Sequence, residues 1–254
     1  MPFADLQLPF LDGSAGLLLA AAILLPTYAI FSLAGFGSGL LASAPLGHCL
    51  PASRIVPLLA LLDCAGASQR AWKARAAIDP QALARLLPGM LLGQVAGVVL
   101  LRSLPTSSLA ALIGAFVTLQ GLWQALRRPP RDTTPALPAW CYGSFGGILG
   151  GLFGSGGFAY AAYLQRALPD RQAFRATQAV LVGLSTLWRV ALCVVSGLID
   201  LPLLAAAALL LPLTWLGMRL GDLLDGKLPA TGLFRLIIGL QILAGLSLLL
   251  RVAG

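Results

Sequence analysis

Seven apolar stretches, each about as long as a membrane-crossing helix, dominate this sequence. They lie at residues 16–34, 51–71, 80–101, 106–126, 173–198, 201–220 and 229–250. A spanning helix needs about 20 consecutive apolar residues. Charged residues make up 10% of the 254 positions, against about 25% in soluble domains. Since a soluble core of this size cannot bury so much apolar surface, the sequence predicts an all-α integral membrane protein that crosses the bilayer several times.

The first apolar stretch is predicted to be a structural span and not a cleaved signal peptide. Asp5 and Asp12 are the charges that precede it, and no basic residue does. A secretory signal peptide carries a positively charged segment at that point. We therefore count residues 16–34 among the helices of the folded protein.

An eighth apolar stretch, residues 139–168, is interrupted by glycines and reveals an internal repeat. Its Gly154-Ser155-Gly156-Gly157 matches Gly37-Ser38-Gly39 earlier in the chain. Further ordered matches pair Gly66 with Gly183, Pro88 with Pro212, Gly93 with Gly217, Gly97 with Gly221, and Leu104-Pro105 with Leu228-Pro229. The sequence thus predicts two homologous four-segment halves, with a Gly-Ser-Gly helix break in the first segment of each half.

A polar, proline-containing linker separates the two halves. It contains Arg127, Arg128, Pro129, Pro130 and Arg131, a composition that ends helices. We assign residues 1–126 to the first transmembrane repeat, 127–138 to a cytoplasmic linker and 139–254 to the second transmembrane repeat.

The distribution of basic residues favours an inverted repeat. The loop after the second span holds Arg70, Lys73 and Arg75, whereas its counterpart at residues 196–202 holds no Lys or Arg. Basic loops stay in the cytoplasm, so the bias changes sides between the halves, as in inverted-topology transporters. This arrangement requires each broken segment to enter and leave on the same side, as a re-entrant helix pair. A parallel repeat with fully spanning first segments stays open.

The two glycine breaks are predicted to form an anion site. Irregular backbone at membrane depth is tolerated beside protein or a water cavity, and helices that start there direct free N–H groups and a partial positive charge at the interior. The predicted substrate-binding residues are Gly37, Ser38, Gly39, Gly154, Ser155, Gly156 and Gly157. The alternative is that these glycines allow close helix packing.

Two ionisable residues inside apolar runs extend this prediction. Asp63 is central in the second span and Arg189 is deep in the sixth, and charges at such depths usually serve a function. We expect Arg189 to neutralise the bound anion, and Asp63 to pair with it or to carry a coupling proton. A purely structural ion pair is the alternative. Weaker candidates for the site are His48, Arg54 and Gln178, with Thr177 and Ser185 as polar lining.

The glycine breaks also carry a family resemblance. Ala34-Gly35-Phe36-Gly37-Ser38-Gly39 and Gly150-Gly151-Leu152-Phe153-Gly154-Ser155-Gly156-Gly157 resemble the glycine-rich signature of the sulfite exporter TauE/SafE family. That family places the signature once in each half. The resemblance implies export of sulfite or a related small organosulfur anion across the bacterial plasma (inner) membrane.

Two other functional classes make different demands on the sequence. A passive small-anion channel, or a transporter of another small oxyanion or carboxylate, would use the same helix ends and stays open. An intramembrane serine hydrolase would need a base beside Ser38 or Ser155, and the one histidine, His48, is ten residues from Ser38. We therefore expect no enzyme. We also expect no metal, no cofactor and no nucleic-acid partner.

The partners that we expect are the lipid bilayer, a small anionic substrate and protons as a coupling ion. The spacing from Gly93 to Gly97 suits close packing within one chain or between two, which leaves a homodimer open.

Overall fold

The described part of the chain forms ten α-helices. A computed structural model describes residues 14–34, 37–74, 77–126, 135–224 and 230–253. The predicted linker arginines Arg127, Arg128 and Arg131 lie outside the described residues. The helices are α1 (Ser14–Ala34), α2 (Ser38–Leu46), α3 (Ala52–Ala74), α4 (Pro80–Ser103), α5 (Thr106–Leu126), α6 (Ala139–Phe153), α7 (Gly157–Ala167), α8 (Arg171–Val195), α9 (Leu201–Leu224) and α10 (Ala230–Ala253).

Five of the helices in the described part are long and apolar enough to cross a membrane, namely α1, α4, α5, α8 and α9. The predicted span at residues 51–71 forms α3, which has 23 residues but also Arg54, Asp63 and Arg70. The seventh predicted span contributes a shorter apolar stretch, Ile238–Val252 in α10. Large apolar side chains face outwards, such as Leu92, which is 73% exposed. These features confirm an all-α integral membrane protein.

Aspartate caps start three of the long helices. Asp79 accepts a hydrogen bond from the Ala82 N–H at the start of α4, and Asp170 accepts from the Gln172 and Ala173 N–H groups at the start of α8. Asp200 caps α9 in the same way through the Leu203 N–H. Such caps satisfy backbone donors that the first turn of a helix leaves free.

A glycine break separates α1 from α2, and a second one separates α6 from α7. Gly37 precedes α2 with φ 109°, and Gly154 ends α6 with φ 71°, a left-handed region that glycine enters without steric cost. The second helices of the pairs are short: α2 has 9 residues and α7 has 11. At about 1.5 Å per residue each reaches across about half of a hydrocarbon core roughly 30 Å thick.

Contacts between the halves give the direction of the central helices. Along the α3–α8 contact, Gly183 lies against Ala71, while Asp63 pairs with Arg189, so residue numbers rise in opposite directions. Helices α5 and α10 are also antiparallel, because Gly114 contacts Leu249 and Gly121 contacts Ile242.

In two further contacts between the halves, α1–α9 and α4–α6, the helices run parallel. Gly217 and Gly221 of α9 pack on the backbone of Leu25 and Ala29 in α1. Gly89 and Gly97 of α4 pack in the same way on Trp140 and Ile148 of α6. Helices α1 and α9 therefore run in one direction, as do α4 and α6.

The glycine spacing on α4 serves packing within the chain. A Cβ on Gly93 would lie 2.3 Å from the Ser144 carbonyl oxygen, and one on Gly97 would lie 2.4 Å from that of Ile148. Real Cβ atoms do not come so close, so α6 approaches α4 closely because these residues have no side chain. Of the two uses left open by the sequence, the structure shows the intramolecular one.

Candidate functional site

The two glycine breaks touch each other inside the protein. A Cβ on Gly39 would lie 2.5 Å from the Phe153 carbonyl oxygen and 2.7 Å from that of Gly154. Gly39 itself is buried. The break in the first half thus packs on the break in the second half, although 117 positions separate Gly37 from Gly154. The surrounding helices cover both breaks. Gly39, which was predicted to bind the substrate, packs against the second break and is not among the residues that line the cavity described next.

A small polar cavity lies at this junction. It has a volume of about 20 Å³ and is lined by Gly37 and Ser38 of the first break, by Gly154, Gly156 and Gly157 of the second, and by Asp63 and Arg189. Such a volume holds about one water molecule. The structure therefore brings together predicted residues from both halves of the chain around one small, partly open space.

The starts of α2 and α7 both face this cavity. Neither start has a side-chain cap: Gly37 precedes α2 and Gly156 precedes α7. The first N–H groups of a helix have no partner within the helix, and each start carries roughly half a positive charge. Two uncapped starts on one cavity provide a positive potential and free hydrogen-bond donors, both of which favour an anion.

A carboxylate already occupies part of this positive region. Asp63 is 2% exposed and lies at the midpoint of α3. Its Oδ2 accepts hydrogen bonds from the Ser38 hydroxyl at 2.8 Å and from Arg189 Nη2 at 3.0 Å. Its Oδ1 accepts a hydrogen bond from the Tyr28 hydroxyl at 2.8 Å. Asp63 is thus the protein's own anion at the start of α2.

Arg189 is the cation of the cavity. It is 3% exposed, and its guanidinium joins the two halves by pairing with Asp63 and by donating from Nη1 to the Gly150 carbonyl oxygen at 3.2 Å. Its Nε has no hydrogen-bond partner among the described residues. Since a buried donor without a partner costs free energy, this N–H is available to an oxygen atom that enters the cavity.

The two serines of the breaks differ. Ser38 begins α2 and points at Asp63. Ser155, which was also predicted to bind the anion, does not line the cavity: its hydroxyl donates to the Phe153 carbonyl oxygen at 3.2 Å, and α7 begins two residues later, at Gly157. At the second break, the backbone of Gly156 and Gly157 lines the cavity instead.

The weaker candidates lie at different depths. Gln178 is buried next to the site, where its Nε2 donates to the Gly157 carbonyl oxygen at 2.8 Å. His48 follows α2 at the membrane face and lies 3.1 Å from the hydroxyl of Ser247 in α10. Arg54 pairs with Asp200 at 2.6 Å, and their side chains are 31% and 41% exposed. His48 and Arg54 thus lie apart from the cavity.

Asp200, the partner of Arg54, lies directly before α9 and outside the spanning segments. Burial raises the pKa of Asp200, but hydrogen bonds from the Leu203 N–H and from Arg54 together with the Arg54 charge outweigh that effect and hold the pKa below its ordinary value. The pair therefore stays ionised at neutral pH.

Four polar residues in or around the cavity were not predicted from the sequence, and one of them, Thr186, lines it. Tyr28 holds Asp63 from α1. Gln94, fully buried in α4, bonds to Ser185. The hydroxyl of Tyr160, fully buried in α7, lies beside Ser185 and Gln94. Gln94 was detectable, since a glutamine in the middle of an apolar run needs a partner, whereas tyrosines in such runs resemble ordinary packing residues.

The groups that converge on the cavity suit the binding of an anion. Ser38 donates to a carboxylate and does not contact the histidine, which lies at the membrane face. Among the described residues, no three His, Cys, Asp or Glu side chains converge as metal ligands would. The groups that do converge are hydrogen-bond donors, the Arg189 cation and the Asp63 carboxylate that pairs with it.

Comparisons with known proteins match this description. A family model described as sulfite exporter TauE/SafE matches residues 18–248. The chain is similar to the probable inner membrane transporter protein TsaS of Comamonas testosteroni, with 31% identity over 172 residues that cover 66% of this chain and 71% of that protein. No solved structure matches the chain.

Proposed function

Because the chain belongs to the sulfite exporter TauE/SafE family of membrane transporters, we propose that it exports sulfite or a related small organosulfur anion. It is a multi-pass protein of the bacterial inner membrane. The anion would bind between the starts of α2 and α7, with Arg189 as its countercharge.

One observation carries this proposal: the uncapped starts of two half-length helices, one from each repeat, line the same buried cavity as Arg189. The attraction of a unit charge about 4 Å from Arg189 is about 4 kcal/mol at an effective dielectric constant near 20. Each helix start adds up to about 2 kcal/mol in a partly buried setting. Together these groups offset the several kcal/mol that an ion loses when it leaves water.

Asp63 controls whether this attraction is available. While it is ionised and bonded to Arg189, its repulsion of a second anion at similar distance is also about 4 kcal/mol. The cavity of about 20 Å³ is also smaller than a four-atom oxyanion. We therefore infer that substrate binding separates Asp63 from Arg189, so that the substrate replaces the carboxylate as the partner of the guanidinium.

Arg189 can be freed from Asp63 in two ways, and these couple transport to different gradients. If a proton binds Asp63, the site loaded with a monoanion gains no net charge, and a pH gradient drives transport. If α3 shifts relative to α8 and Asp63 stays ionised, the loaded site carries the charge of the anion. A membrane potential that is negative inside then drives export, by about 2.3 kcal/mol per charge for each 100 mV.

We propose that the two halves form an inverted repeat. The antiparallel pairs α3–α8 and α5–α10 join equivalent helices of the two repeats, which supports opposite orientations. Within the first half, Tyr28 of α1 meets Asp63 at mid-depth and Phe31 lies beside Gly66, so α1 runs parallel to α3. The intervening α2 must therefore return to the side where α1 began, as a re-entrant segment does.

The basic residues suggest the orientation. Arg166, Arg171, Arg175 and Arg219 lie at the membrane side where α3 ends, together with Arg70. By the positive-inside bias this side is cytoplasmic. The division into residues 1–126, 127–138 and 139–254 follows as part of this proposal, with the linker in the cytoplasm. A homodimer would use surfaces other than Gly93 and Gly97, which pack on α6.

Counterflow of radiolabelled sulfite in proteoliposomes tests the function. We expect saturable exchange in the wild type, and loss of it in Arg189→Ala protein that still folds. Arg219→Ala is a matched control, because Arg219 stacks on Trp215 at 4.8 Å and is exposed. Flux with no exchange and no saturation would favour the channel instead, and unimpaired exchange in the Arg189 variant would refute the site.

A pH gradient added to the same vesicles, with the membrane potential clamped, separates the two modes of coupling. Acceleration of sulfite flux by the gradient indicates that a proton accompanies the anion. A response to the potential alone indicates that Asp63 stays ionised while the anion crosses.

A further inference from the structure

The largest apolar side chain that lines the cavity is that of Phe31, in the last turn of α1. It is 2% exposed. Its ring packs edge-to-face on the ring of Tyr28, with 5.8 Å between the centroids, and the Tyr28 hydroxyl bonds to Asp63. Phe31 thus adds no side-chain hydrogen bond to the site and covers one side of the Asp63–Arg189 pair.

The contacts of Phe31 place its ring between the cavity and the membrane side where α3 ends. A Cβ on Gly66 would lie 3.5 Å from Cε1 of Phe31, and Gly66 follows Asp63 by three residues along α3, or about 4.5 Å. The Arg70 guanidinium lies over the same ring, 5.6 Å from its centroid, and Arg70 follows Asp63 by seven residues, or about 10 Å. The order along α3 is therefore the charged pair, the Phe31 ring and Arg70.

Two polar contacts hold the end of α1 in this position. Arg70 donates from Nη1 to the Phe31 carbonyl oxygen, and the Ser32 hydroxyl donates to Asp222 of α9. The last carbonyl groups of a helix have no partner within the helix, and a basic side chain there also favours the negative helix end. Arg70 thus binds Phe31 twice, by its backbone oxygen and by the face of its ring, which attracts a cation.

The protein is thinner on this side of the charged pair than on the other. Toward the start of α3, residues 55–60 are all buried, whereas the residues of α3 described after Ala67, namely 68 and 70–72, are all at least partly exposed. In α1, Ser32 and Leu33 are partly exposed directly after Phe31. The ring of Phe31 is therefore the last buried layer described in α1 before that helix reaches the membrane face.

We propose that Phe31 is the gate of the anion site on the side where α3 ends, and that Arg70 is the positioning residue that holds it shut. Asp63 and Arg189 are 2% and 3% exposed, so an anion reaches them when the end of α1 leaves Arg70 and takes the ring with it. This inference rests on the proposed function and adds the route by which the anion reaches Arg189. Because that side is cytoplasmic in the proposed orientation, the gate lies where an exporter takes up its substrate.

Labelling of a cysteine in the cavity measures how often the gate opens. Thr186 lines the cavity and is 4% exposed. In a cysteine-free background, Thr186→Cys should react with an impermeant methanethiosulfonate reagent faster from the side that labels Gln81→Cys, near the end of α3. We expect Phe31→Ala to raise this rate by roughly tenfold to a hundredfold, the change in open fraction that follows when a hydrogen bond to a charged group is lost. Phe31→Leu, which keeps a large apolar side chain, is a second variant and should raise the rate less.

Variants of Arg70 test its role in the gate. Arg70→Ala should raise the labelling rate, whereas Arg70→Lys keeps a cation and a donor and should stay near the wild-type rate. Arg219→Ala is the matched control, because Arg219 stacks in the same way on Trp215 rather than on Phe31. Phe116→Ala is the control for loss of a ring, because Phe116 stacks on Phe153 at 4.5 Å. We expect both controls to leave the rate from this side unchanged.

The outcomes separate this inference from the proposed function, because the labelling uses no sulfite. Three results in a protein that exchanges sulfite would overturn the inference alone: faster labelling from the opposite side, an unchanged rate in both Phe31 variants, or no reaction of any variant. Labelling that depends on Phe31, in a protein that exchanges no sulfite and is stabilised by no oxyanion, would overturn the proposed function itself.

Discussion

Replacing Asp63 with asparagine removes the protein's own anion while keeping its shape. An asparagine oxygen in the place of Oδ2 can still accept from Ser38 and Arg189, and its NH₂ group can donate to the Tyr28 oxygen. The three contacts of the wild type lie between 2.8 and 3.0 Å. The substitution therefore changes the charge and little else.

The expected loss of stability comes from Arg189. The guanidinium stays buried, at 3% exposure, without a countercharge. Removal of one partner from a buried ion pair costs about 3–5 kcal/mol. The same change removes a repulsion of about 4 kcal/mol from the space where the substrate anion binds. We therefore expect Asp63→Asn protein to be less stable when empty and to bind sulfite at least roughly tenfold more tightly than the wild type.

Thermal unfolding in detergent, with and without sulfite, measures both effects. Ligand at about 100 times its Kd stabilises a protein by about 2.7 kcal/mol, so at one sulfite concentration the variant should gain more than the wild type. The double variant Asp63→Asn, Arg189→Gln has no buried charge and should regain stability when empty. It should also lose the response to sulfite.

Equal sulfite-induced shifts in the wild type and in Asp63→Asn protein would show that the two anions do not compete for Arg189. A double variant that still responds to sulfite would show that the anion binds elsewhere. Either result would refute the reasoning.

Three further predictions concern packing, pH and topology. Gly39→Ala should abolish exchange and destabilise the protein by about 1–3 kcal/mol, because its Cβ would lie 2.5 Å from the Phe153 carbonyl oxygen. Gly239→Ala, with nothing within 4 Å, should change neither property in the same assays. The lowered pKa of Asp200 contributes stability that is present above its unfolded value near 3.9 and is lost as pH falls through the folded value. The stability difference between wild type and Asp200→Asn should therefore shrink below about pH 4 in acid unfolding scans, and a constant difference would contradict the assignment. In a cysteine-free background, an impermeant maleimide should label Leu201→Cys from outside the cell and Gln81→Cys from inside, whereas labelling of both from one side would contradict the inverted repeat.

Much of the fold is predictable from the sequence because the bilayer imposes a simple rule. In lipid, each apolar run of about 20 residues must form hydrogen bonds between its own backbone N–H and C=O groups, and a helix does so. The run at residues 80–101 accordingly forms α4, and the run at 106–126 forms α5. The aspartates before α4 and α9 also mark helix starts in the sequence, since Asp79 and Asp200 are N-cap residues followed closely by proline.

The approximate location of the candidate site is predictable for a similar reason. Charges are rare at membrane depth, so Asp63 and Arg189 stand out in the sequence although 126 positions separate them. The structure places them 3.0 Å apart. Their partners were less visible, because Tyr28 and Tyr160 have the apolar bodies that a helix core needs, and only the folded arrangement shows where their hydroxyls point.

The direction of each side chain at a break could not be read from the sequence. Ser38 and Ser155 occupy equivalent places in two similar motifs. Ser38 begins a helix and faces Asp63, whereas Ser155 lies in a turn and bonds to Phe153. The difference depends on where each helix resumes: α2 begins at Ser38, whereas α7 begins two residues after Ser155, at Gly157.

The most direct measurement is the position of a bound anion. Selenite, a heavier analogue of sulfite, can be located by anomalous scattering at the selenium edge in crystals of the protein. We predict a single strong peak within hydrogen-bond distance of the Arg189 guanidinium and the first N–H groups of α2 and α7, with Asp63 moved away from Arg189. A peak at another place, with the Asp63–Arg189 pair intact, would contradict the account.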